Sequence, residues 1–205
     1  MPSACKNWFT VGRWVDVSNK EQGVTWVTLD APLVEIGGLT ATLLNSQTNP
    51  DVWRKKVGRT GKLYSWAMNN HWGTNYRAYQ EGPTIFRFIL RPHRELDPAE
   101  ASRFATGFSQ PLLARLGEAK PFSTPLLQVS PPDVLVSALK PSDDGKAWIV
   151  RLFGASGKTR SATLRWGKQA PQAVLLSDTS ERSRAKAPDP ITVPGYGLVT
   201  LRAEF

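Results

Sequence analysis

The sequence predicts an all-β protein with two antiparallel β-sandwich regions and one short helix between them. Three observations favour this class. Short runs of alternating apolar and polar residues recur along the chain, separated by turn residues. Glycine and proline are plentiful, with 16 of each among 205 residues. Helical periodicity is recognisable in a single segment, and many short strands with few helices are typical of sandwiches.

The first strands are predicted from a period of two. The segment WFTVGRWVDVSN, Trp8 to Asn19, alternates along its length. The residues on one of its faces are Phe9, Val11, Val15 and Val17. The segment VTWVTLDAPL, Val24 to Leu33, is rich in β-branched and aromatic residues, which strands prefer. Because Pro32 has no amide hydrogen to donate, it ends this strand or confines it to a sheet edge.

Three further segments complete the strands of the first region. A short strand is expected near Leu39 to Leu44, and LYSWAMNN, Leu63 to Asn70, predicts another. TIFRFILRPH, Thr84 to His93, alternates again, so it predicts a third strand.

One segment, DPAEASRFATGF, predicts the helix. Asp97 can cap its first turn, Pro98 suits the first helical position, and Glu100 follows three residues after the cap. The apolar residues of one helical face are Ala101, Phe104, Ala105 and Phe108.

A proline-rich stretch, GEAKPFSTPLLQVSPPD, divides the chain. We therefore expect a first β-sandwich domain over residues 1–116, a linker over 117–132 and a C-terminal β-sandwich domain over 133–205. In the last range VLVSALK, AWIVRLF, TRSATLRW and GLVTLRAEF read as strands. Tight turns such as PSDDGK and GASGK join them, which is typical of a meander or sandwich.

Composition and charge narrow the function classes. There are 26 Lys and Arg against 17 Asp and Glu, a formal net charge of +9. A basic chain raises the prior for nucleic acid, but the basic residues are scattered and form no recognised motif. A solvated surface is the favoured interpretation, and no nucleic-acid partner is expected.

Metal and membrane classes are disfavoured as well. With Cys5 as the one cysteine and two histidines, the sequence argues against a Cys/His zinc site and against an internal disulfide. No signal-peptide pattern and no apolar run of about 18 residues is present. We therefore expect no metal ligands, no membrane partner and a cytoplasmic location.

The segment NNHWGTNYRAYQEG, Asn69 to Gly82, is the strongest candidate site. It combines directional hydrogen-bonding groups with flat aromatic faces, which suits a sugar. An alternative stays open, in which the amides cap the loop's own turns and the aromatics close a sandwich rim. No two carboxylates can be argued to converge as a glycosidase requires, so no catalytic residue is predicted.

Several long motifs together resemble a known family. They are CKNWFTVGRWVDVSN, GVTWVTLDAPLVEIGG, LYSWAMNNHWGTNYRAYQEG, FRFILRPH and SALKPSDDGKAWIVRLFGASGK. In this order, from about Ala4 to the end of the chain, they resemble the C-terminal β region of glycoside hydrolase family 38 α-mannosidases. The resemblance implies the last part of a galactose-mutarotase-like β-supersandwich, followed by a small terminal β-sandwich.

The resemblance also implies what the chain does not carry. Family members are retaining, zinc-dependent glycosidases whose catalytic aspartate and zinc ligands lie in an N-terminal α/β barrel, upstream of the matched part. Neither can be transferred to a residue here, so we expect no cofactor in this chain and no activity of the chain alone. The resemblance would place Met1 inside a continuous sandwich, so we expect a truncated chain or one that assembles with a separate barrel.

In such enzymes loops of the β region help to wall the sugar pocket. The stretches Asp30 to Leu33 and Asn69 to Glu81 are the candidates for such walls. The candidate substrate-binding residues are Asp30, Asn69, Asn70, His71, Trp72, Asn75, Tyr76, Gln80 and Glu81.

The main functional hypothesis is a non-catalytic β region of an α-mannosidase-like hydrolase, which acts on α-mannosides only with a catalytic barrel supplied elsewhere. The alternative is a free-standing carbohydrate-binding module that uses Trp72, Tyr76 and Tyr79 as stacking platforms. The expected partners are α-mannosides and either a separate barrel chain or a second copy that pairs through an exposed sheet edge.

Overall fold

The computed structural model describes residues 4–39, 50–68, 77, 79–110, 112–114, 116–117, 124–167 and 169–205. Within these ranges the chain forms strands β1 to β13, one α-helix and one 3-10 turn, and neighbouring strands pair antiparallel. The predicted all-β class with one helix is confirmed.

The chain divides into two compact units. The N-terminal unit comprises Met1–Leu96 and Phe104–Pro111, and the C-terminal unit comprises Asp97–Arg103 and Leu112–Phe205. The helix therefore belongs to both units, one half to each. The boundaries at 116 and 132 stay a prediction, although a strand lies inside the expected linker at Leu127–Ser130.

The N-terminal unit holds six strands and the 3-10 turn Pro50–Val52. The strands are β1 (Phe9–Thr10), β2 (Trp14–Ser18), β3 (Gly23–Thr28), β4 (Leu33–Ile36), β5 (Leu63–Ser65) and β6 (Phe88–His93). They form two three-stranded sheets, ordered β1-β4-β5 and β2-β3-β6.

Two predicted strands are each broken into two. The segment Trp8 to Asn19 does not form one strand, since β1 and β2 lie in different sheets. The break falls where the backbone amide of Val11 donates to the carbonyl of Pro32 at 2.9 Å and the carbonyl of Arg13 accepts from Thr28 at 3.1 Å. The segment Val24 to Leu33 likewise ends its strand at Thr28. The strand expected near residues 39–44 lies almost wholly outside the described residues.

The β2-β3-β6 sheet has two unlike faces, fixed by the register Asp16↔Thr25 and Thr25↔Arg91. The first face, which we call the apolar face, consists of Val15, Val17, Val24, Trp26, Phe88, Leu90 and Pro92. It is the more exposed one, with Leu90 65 % and Phe88 39 % exposed.

The opposite, mixed face is covered. By this register it carries polar and apolar side chains, which are Trp14, Asp16, Thr25, Val27, Ile89, Arg91 and His93. The end of the helix contacts it through Phe104. The guanidinium of Arg91 stands 5.0 Å from the ring centroid of Phe104. Polar side chains are therefore buried beside Val27 on one side of this sheet, while apolar side chains face outward on the other.

Helix α1 runs from Pro98 to Ser109. The capping prediction is confirmed, because Asp97 Oδ1 accepts from the amides of Ala99 at 2.8 Å and Glu100 at 3.2 Å. Phe104 and Phe108 stack edge-on with centroids 5.0 Å apart.

The C-terminal unit holds seven strands. They are β7 (Leu127–Ser130), β8 (Val134–Pro141), β9 (Ala147–Gly154), β10 (Arg160–Trp166), β11 (Ala173–Ser177), β12 (Ile191–Val193) and β13 (Leu198–Glu204). A three-stranded sheet, β12-β10-β7, and a four-stranded sheet, β11-β13-β9-β8, contribute to one hydrophobic core. Its buried members are Val134, Val150, Leu152, Ala162, Ile191, Val193 and Leu201. Two sheets that share one core make this unit a β-sandwich.

Candidate functional site

Asp30 follows β3 and is held by Arg87, which precedes β6. Its Oδ2 accepts from the backbone amide of Arg87 at 2.8 Å and from Nε at 3.0 Å, and its Oδ1 accepts from Nη2 at 2.8 Å. The backbone amide of Leu29 donates to the carbonyl of Arg87 at 3.2 Å. These contacts tie the loop after β3 to the segment that leads into β6.

The contacts also fix the charge of Asp30. The hydrogen bond from the Arg87 side chain, followed by that from its amide, lowers the pKa of Asp30 from 3.8 to about 2. A carboxylate with so low a pKa stays ionised at neutral pH and holds no proton to donate. Asp30 can therefore orient a neighbour or accept a hydrogen bond, but it is unsuited to general acid catalysis.

Two further predicted residues, Gln80 and Glu81, are exposed. Gln80 Nε2 lies 3.4 Å from Thr84 Oγ1, a long hydrogen bond. Among the described residues no hydrogen bond or ion pair joins either side chain to Asp30, and the wall stays a prediction. The remaining predicted site residues lie outside the described ranges, and they are Asn69, Asn70, His71, Trp72, Asn75 and Tyr76.

Tyr79 is the aromatic residue of this segment that lies within the described ranges. It is 59 % exposed, and the guanidinium of Arg77 stands 5.9 Å from its ring centroid. A sugar that stacked on the same face of the ring would have to share it with this cation or displace it.

A buried Asp–His–Thr group on the mixed face of the β2-β3-β6 sheet was not anticipated from the sequence. Asp16 Oδ2 accepts from Thr25 Oγ1 at 2.8 Å and lies 2.7 Å from His93 Nε2. The side chains of Asp16 and His93 are only 5 % and 14 % exposed. Close packing adds to this enclosure, because a Cβ on Gly23 would lie 2.5 Å from His93 Cε1.

The geometry of this group does not support nucleophilic catalysis. A hydroxyl nucleophile must donate its hydrogen to the base, but Thr25 donates to the carboxylate of Asp16 and not to His93. In the described part of the chain, Asp16 Oδ1 and His93 Nδ1 are buried without a hydrogen-bond partner. We interpret the group as a polar contact that joins β2, β3 and β6.

The family resemblance implies a zinc ion, so the described side chains matter as possible ligands. The described ranges contain no group of three His, Cys, Asp or Glu residues that could hold a metal ion. His93 is directed at Asp16, so its described surroundings do not resemble a zinc site. The described residues therefore do not fit the metal.

The C-terminal unit orders its turns with carboxylates. Asp144 accepts from Ser142 Oγ at 2.6 Å and from Arg202 Nη2 at 2.7 Å, and the Ser142 bond contributes most to lowering its pKa. Asp133 Oδ2 accepts from Ser156 at 2.7 Å and Arg160 at 2.6 Å. These bonds also lower the pKa of Asp133.

Tyr196 has an unusual backbone in the C-terminal unit. Its φ is +54°, in the left-handed region that an aromatic residue rarely adopts, and such a conformation costs about 1–3 kcal/mol. Its amide donates to the carbonyls of Gly154 at 2.8 Å and Ser156 at 3.1 Å. Despite these constraints, Tyr196 is 61 % exposed.

Close glycines hold the Tyr196 turn in place. A Cβ on Gly195 would lie 2.5 Å from the carbonyl carbon of Gly157, and one on Gly157 would lie 3.2 Å from Cε2 of the Tyr196 ring. The loop after β9 and the turn before β13 therefore interlock, and the ring edge rests over Gly157.

Glu181, with φ +61°, is the other left-handed residue among the described non-glycines. Its role is evident from its contacts. Its carboxylate is 11 % exposed, pairs with Lys140 and accepts from the amide of Asp143 at 2.8 Å. No such hydrogen bond to a described residue engages the Tyr196 side chain.

Two sequence signals could have indicated part of this arrangement. His93 ends an alternating strand on the parity opposite to Phe88 and Leu90, which predicts the mixed face. Tyr196 lies between two glycines, which indicates a tight turn around an aromatic residue. Nothing in the sequence pairs Asp30 with Arg87, since they lie 57 positions apart.

No helix within the described ranges has the length and apolar character needed to cross a membrane.

Known proteins resemble this chain in sequence over its C-terminal part and in fold over nearly its whole length. Residues 133–201 match the model of the glycosyl hydrolases family 38 C-terminal beta sandwich domain. No curated protein matches the chain. Two solved structures from Enterococcus faecalis are similar in fold. An α-mannosidase of strain V583 has a TM-score of 0.62 at 15 % identity, over 97 % of this chain. A protein of glycosyl hydrolase family 38 has a TM-score of 0.58 at 14 % identity, also over 97 % of this chain.

The chain spans 21 % and 23 % of the length of those two proteins. Their likeness concerns the fold, which extends over both units, while the family match lies in the C-terminal unit. The resemblance predicted from the sequence motifs is thereby confirmed, because residues 133–201 match the C-terminal β-sandwich domain of glycosyl hydrolase family 38.

Proposed function

We propose that this chain is a non-catalytic β region of an α-mannosidase-like glycoside hydrolase, which contributes to α-mannoside hydrolysis and mannose metabolism only with a catalytic barrel supplied elsewhere. The observation that carries the proposal is the match of residues 133–201 to the family 38 C-terminal sandwich. The fold likeness to an α-mannosidase over 97 % of the chain supports it.

In this proposal the Asp30 loop and the segment from Asn69 to Glu81 form part of a sugar-pocket wall. The clamp between Asp30 and Arg87 supports it, because the clamp joins the loop after β3 to the segment that follows Glu81. An ionised Asp30 would accept a hydrogen bond from a sugar hydroxyl, and the catalytic acid and the metal would belong to the barrel.

The test of the proposal is turnover of an aryl α-mannoside by the pure chain, with and without added zinc. We expect no release of the aryl group in either condition. Metal-dependent hydrolysis by the chain alone would contradict the proposal. A matched Asp30→Asn variant would then show whether Asp30 takes part in that activity.

A free-standing carbohydrate-binding module is the second candidate. The exposure of Tyr79 favours it, with Trp72 and Tyr76 as the other predicted platforms. Titration with a mannotriose, followed by tryptophan fluorescence, separates the two candidates. The module predicts saturable binding that Trp72→Ala and Tyr79→Ala both weaken, whereas unchanged binding by both variants would contradict it.

The partner in either case would be an α-mannoside. For the accessory β region we also propose a protein partner, which is either a chain that carries the barrel or a second copy. The outward position of Leu90 and Phe88 on the apolar face supports such an association.

A further inference from the structure

The backbone conformation at Tyr196 is energetically unfavourable for a tyrosine. Glycine or asparagine would adopt a φ of +54° with far less strain than a tyrosine. Backbone strain of this kind persists where the surrounding structure over-determines it, and it concentrates at ligand-binding sites. Here the interlocked glycines at 157 and 195 provide that over-determination.

The left-handed conformation closes the turn, where the amide of Gly197 donates to the carbonyl of Pro194 at 3.0 Å, but no described hydrogen bond engages the Tyr196 side chain. The ring edge lies over Gly157, which has no side chain to bury, and 61 % of Tyr196 stays in solvent. Glu181 has a similar φ, but there the side chain is largely buried and its carboxylate pairs with Lys140. The outcome at Tyr196 is an exposed aromatic side chain on a backbone turn whose conformation is fixed before any ligand arrives.

Hydrogen-bonding groups flank this surface. The loop under the ring carries Ser156, whose hydroxyl donates to Asp133 at 2.7 Å, and the exposed Lys158. Arg160 fixes the same carboxylate at 2.6 Å from the first residue of β10. An exposed aromatic face is complementary to the C–H face of a pyranose, and the exposed Lys158 of the loop under the ring could donate to hydroxyls at its rim.

We propose that Tyr196 is a sugar-stacking platform, and that the loop Gly154–Lys158 and the turn Pro194–Gly197 form a surface site for a neutral pyranose of an oligosaccharide. The site lies in the C-terminal unit and is separate from the Asp30 wall of the N-terminal unit. The choice of a sugar as ligand rests on the proposed function, and the position of the site rests on the geometry of Tyr196.

The experiment is amide NMR of the full chain during titration with α-linked mannotriose and, separately, maltotriose. A single stacking platform predicts dissociation constants of about 1 mM, so titration to about 10 mM reaches near-saturation. We expect shifts concentrated in residues 154–158 and 194–198. If neither trisaccharide shifts these amides, the proposal is wrong.

Variants separate a binding role from a structural one. Tyr196→Asn suits the left-handed backbone, so its thermal midpoint should equal or exceed that of the parent while binding at this site falls at least tenfold. Tyr196→Phe keeps the ring and should bind within about threefold of the parent. A marked fall in the midpoint of Tyr196→Asn would identify the ring as structural and overturn the proposal.

Two matched controls locate the effect. Leu139→Ser removes another apolar side chain, 38 % exposed, from the C-terminal unit, and Ile85→Ser removes one that is 76 % exposed from the N-terminal unit. Both should leave the shifts at residues 154–158 unchanged. Because this readout involves no mannoside turnover and no barrel, failure of the proposed function would leave it interpretable, and its own failure would leave the accessory role untouched.

Discussion

The two units build sheets from the same kind of alternating strand, yet they bury them differently. In the C-terminal unit both sheets direct their apolar residues into one core, where Val150, Leu152 and Leu201 are 0 % exposed. In the N-terminal unit the β2-β3-β6 sheet directs an apolar face outward, with Leu90 65 % exposed. Alternation therefore identifies a strand and its two faces, but it does not say which face the rest of the protein covers.

On the covered face of that N-terminal sheet, hydrogen bonds and the helix compensate for the burial of polar side chains. Helix α1 supplies Phe104 against Arg91 and Ser109 as hydrogen-bond acceptor for Arg13 Nε at 2.9 Å. Asp16, Thr25 and His93 satisfy most of one another's polar atoms beneath it. Burial on the mixed face is thus supported by hydrogen bonds beside the packing of Val27, whereas the C-terminal core depends on apolar packing.

The largest expected effect is a difference in the free energy of unfolding between alanine variants of two leucines, one buried in the C-terminal core and one on the apolar face. Leu201→Ala removes a side chain that is 0 % exposed and leaves a cavity, so we expect a loss of about 2–5 kcal/mol in the free energy of unfolding. Leu90→Ala, on a residue 65 % exposed, should change it by no more than about 0.5 kcal/mol. Urea denaturation followed by circular dichroism measures both.

Equal losses for the two variants would contradict the contrast. Such a result would mean that the apolar face is covered in solution, by a second copy for example. Repeating the measurement at two protein concentrations separates this case, because a loss that depends on concentration reports association.

Acidification should act more strongly on the C-terminal unit. Hydrogen bonds, with the arginines contributing, lower the pKa values of Asp133, Asp144 and Asp178 there, whereas Asp30 is the corresponding carboxylate described in the N-terminal unit. A carboxyl whose pKa is lower in the folded state adds stability that is complete above its unfolded value, 3.8 for aspartate, and is lost as the pH falls through the folded value. For Asp30 that loss extends to about pH 2.

Amide NMR spectra recorded stepwise from pH 6 to acid conditions follow each unit separately. We expect the native signals of residues 133–205 to weaken at a higher pH than those of the β2-β3-β6 sheet. Asp144→Asn serves as the matched control, because it removes one of the three titrations and should narrow the interval between the units. Simultaneous loss of all signals in the parent would contradict the prediction.

The fold could largely be predicted from local pattern. The alternation in TIFRFILRPH and GLVTLRAEF and the cap at Asp97 depend on neighbours in sequence, and each element is present, although the first strand begins at Phe88 and not at Thr84. The prediction failed over Trp8 to Asn19, where the chain leaves one sheet for another. That break depends on hydrogen bonds to Pro32 and Thr28, which are distant in sequence.

The candidate site was less accessible to sequence reasoning. Asp30 was selected from the family resemblance, but its partner Arg87 is determined by how the loop after β3 meets the segment before β6. The Asp16–His93 contact depends on the register of three strands, which a single sequence does not fix. The strain at Tyr196 is a backbone property, so the flanking glycines indicated only a turn.

The smallest expected effect concerns association. The apolar face should let the chain self-associate weakly, and Leu90→Ser should shift it toward monomer in sedimentation velocity. Because the formal net charge of +9 makes copies repel, added salt should screen the repulsion and strengthen association of the parent. The expected change corresponds to about 1–2 kcal/mol, near the value of burying part of one leucine.

Leu198→Ser provides the matched control, since Leu198 is 59 % exposed but lies in the C-terminal unit. If association arises from general apolar exposure, both serine variants should weaken it equally. If it arises from the apolar face, only Leu90→Ser should do so, with its unfolding midpoint unchanged. A parent chain that stays monomeric at high salt and high concentration would show that an outward apolar sheet face of this size is tolerated in water, and the contrast between the units would then be one of packing without consequence for assembly.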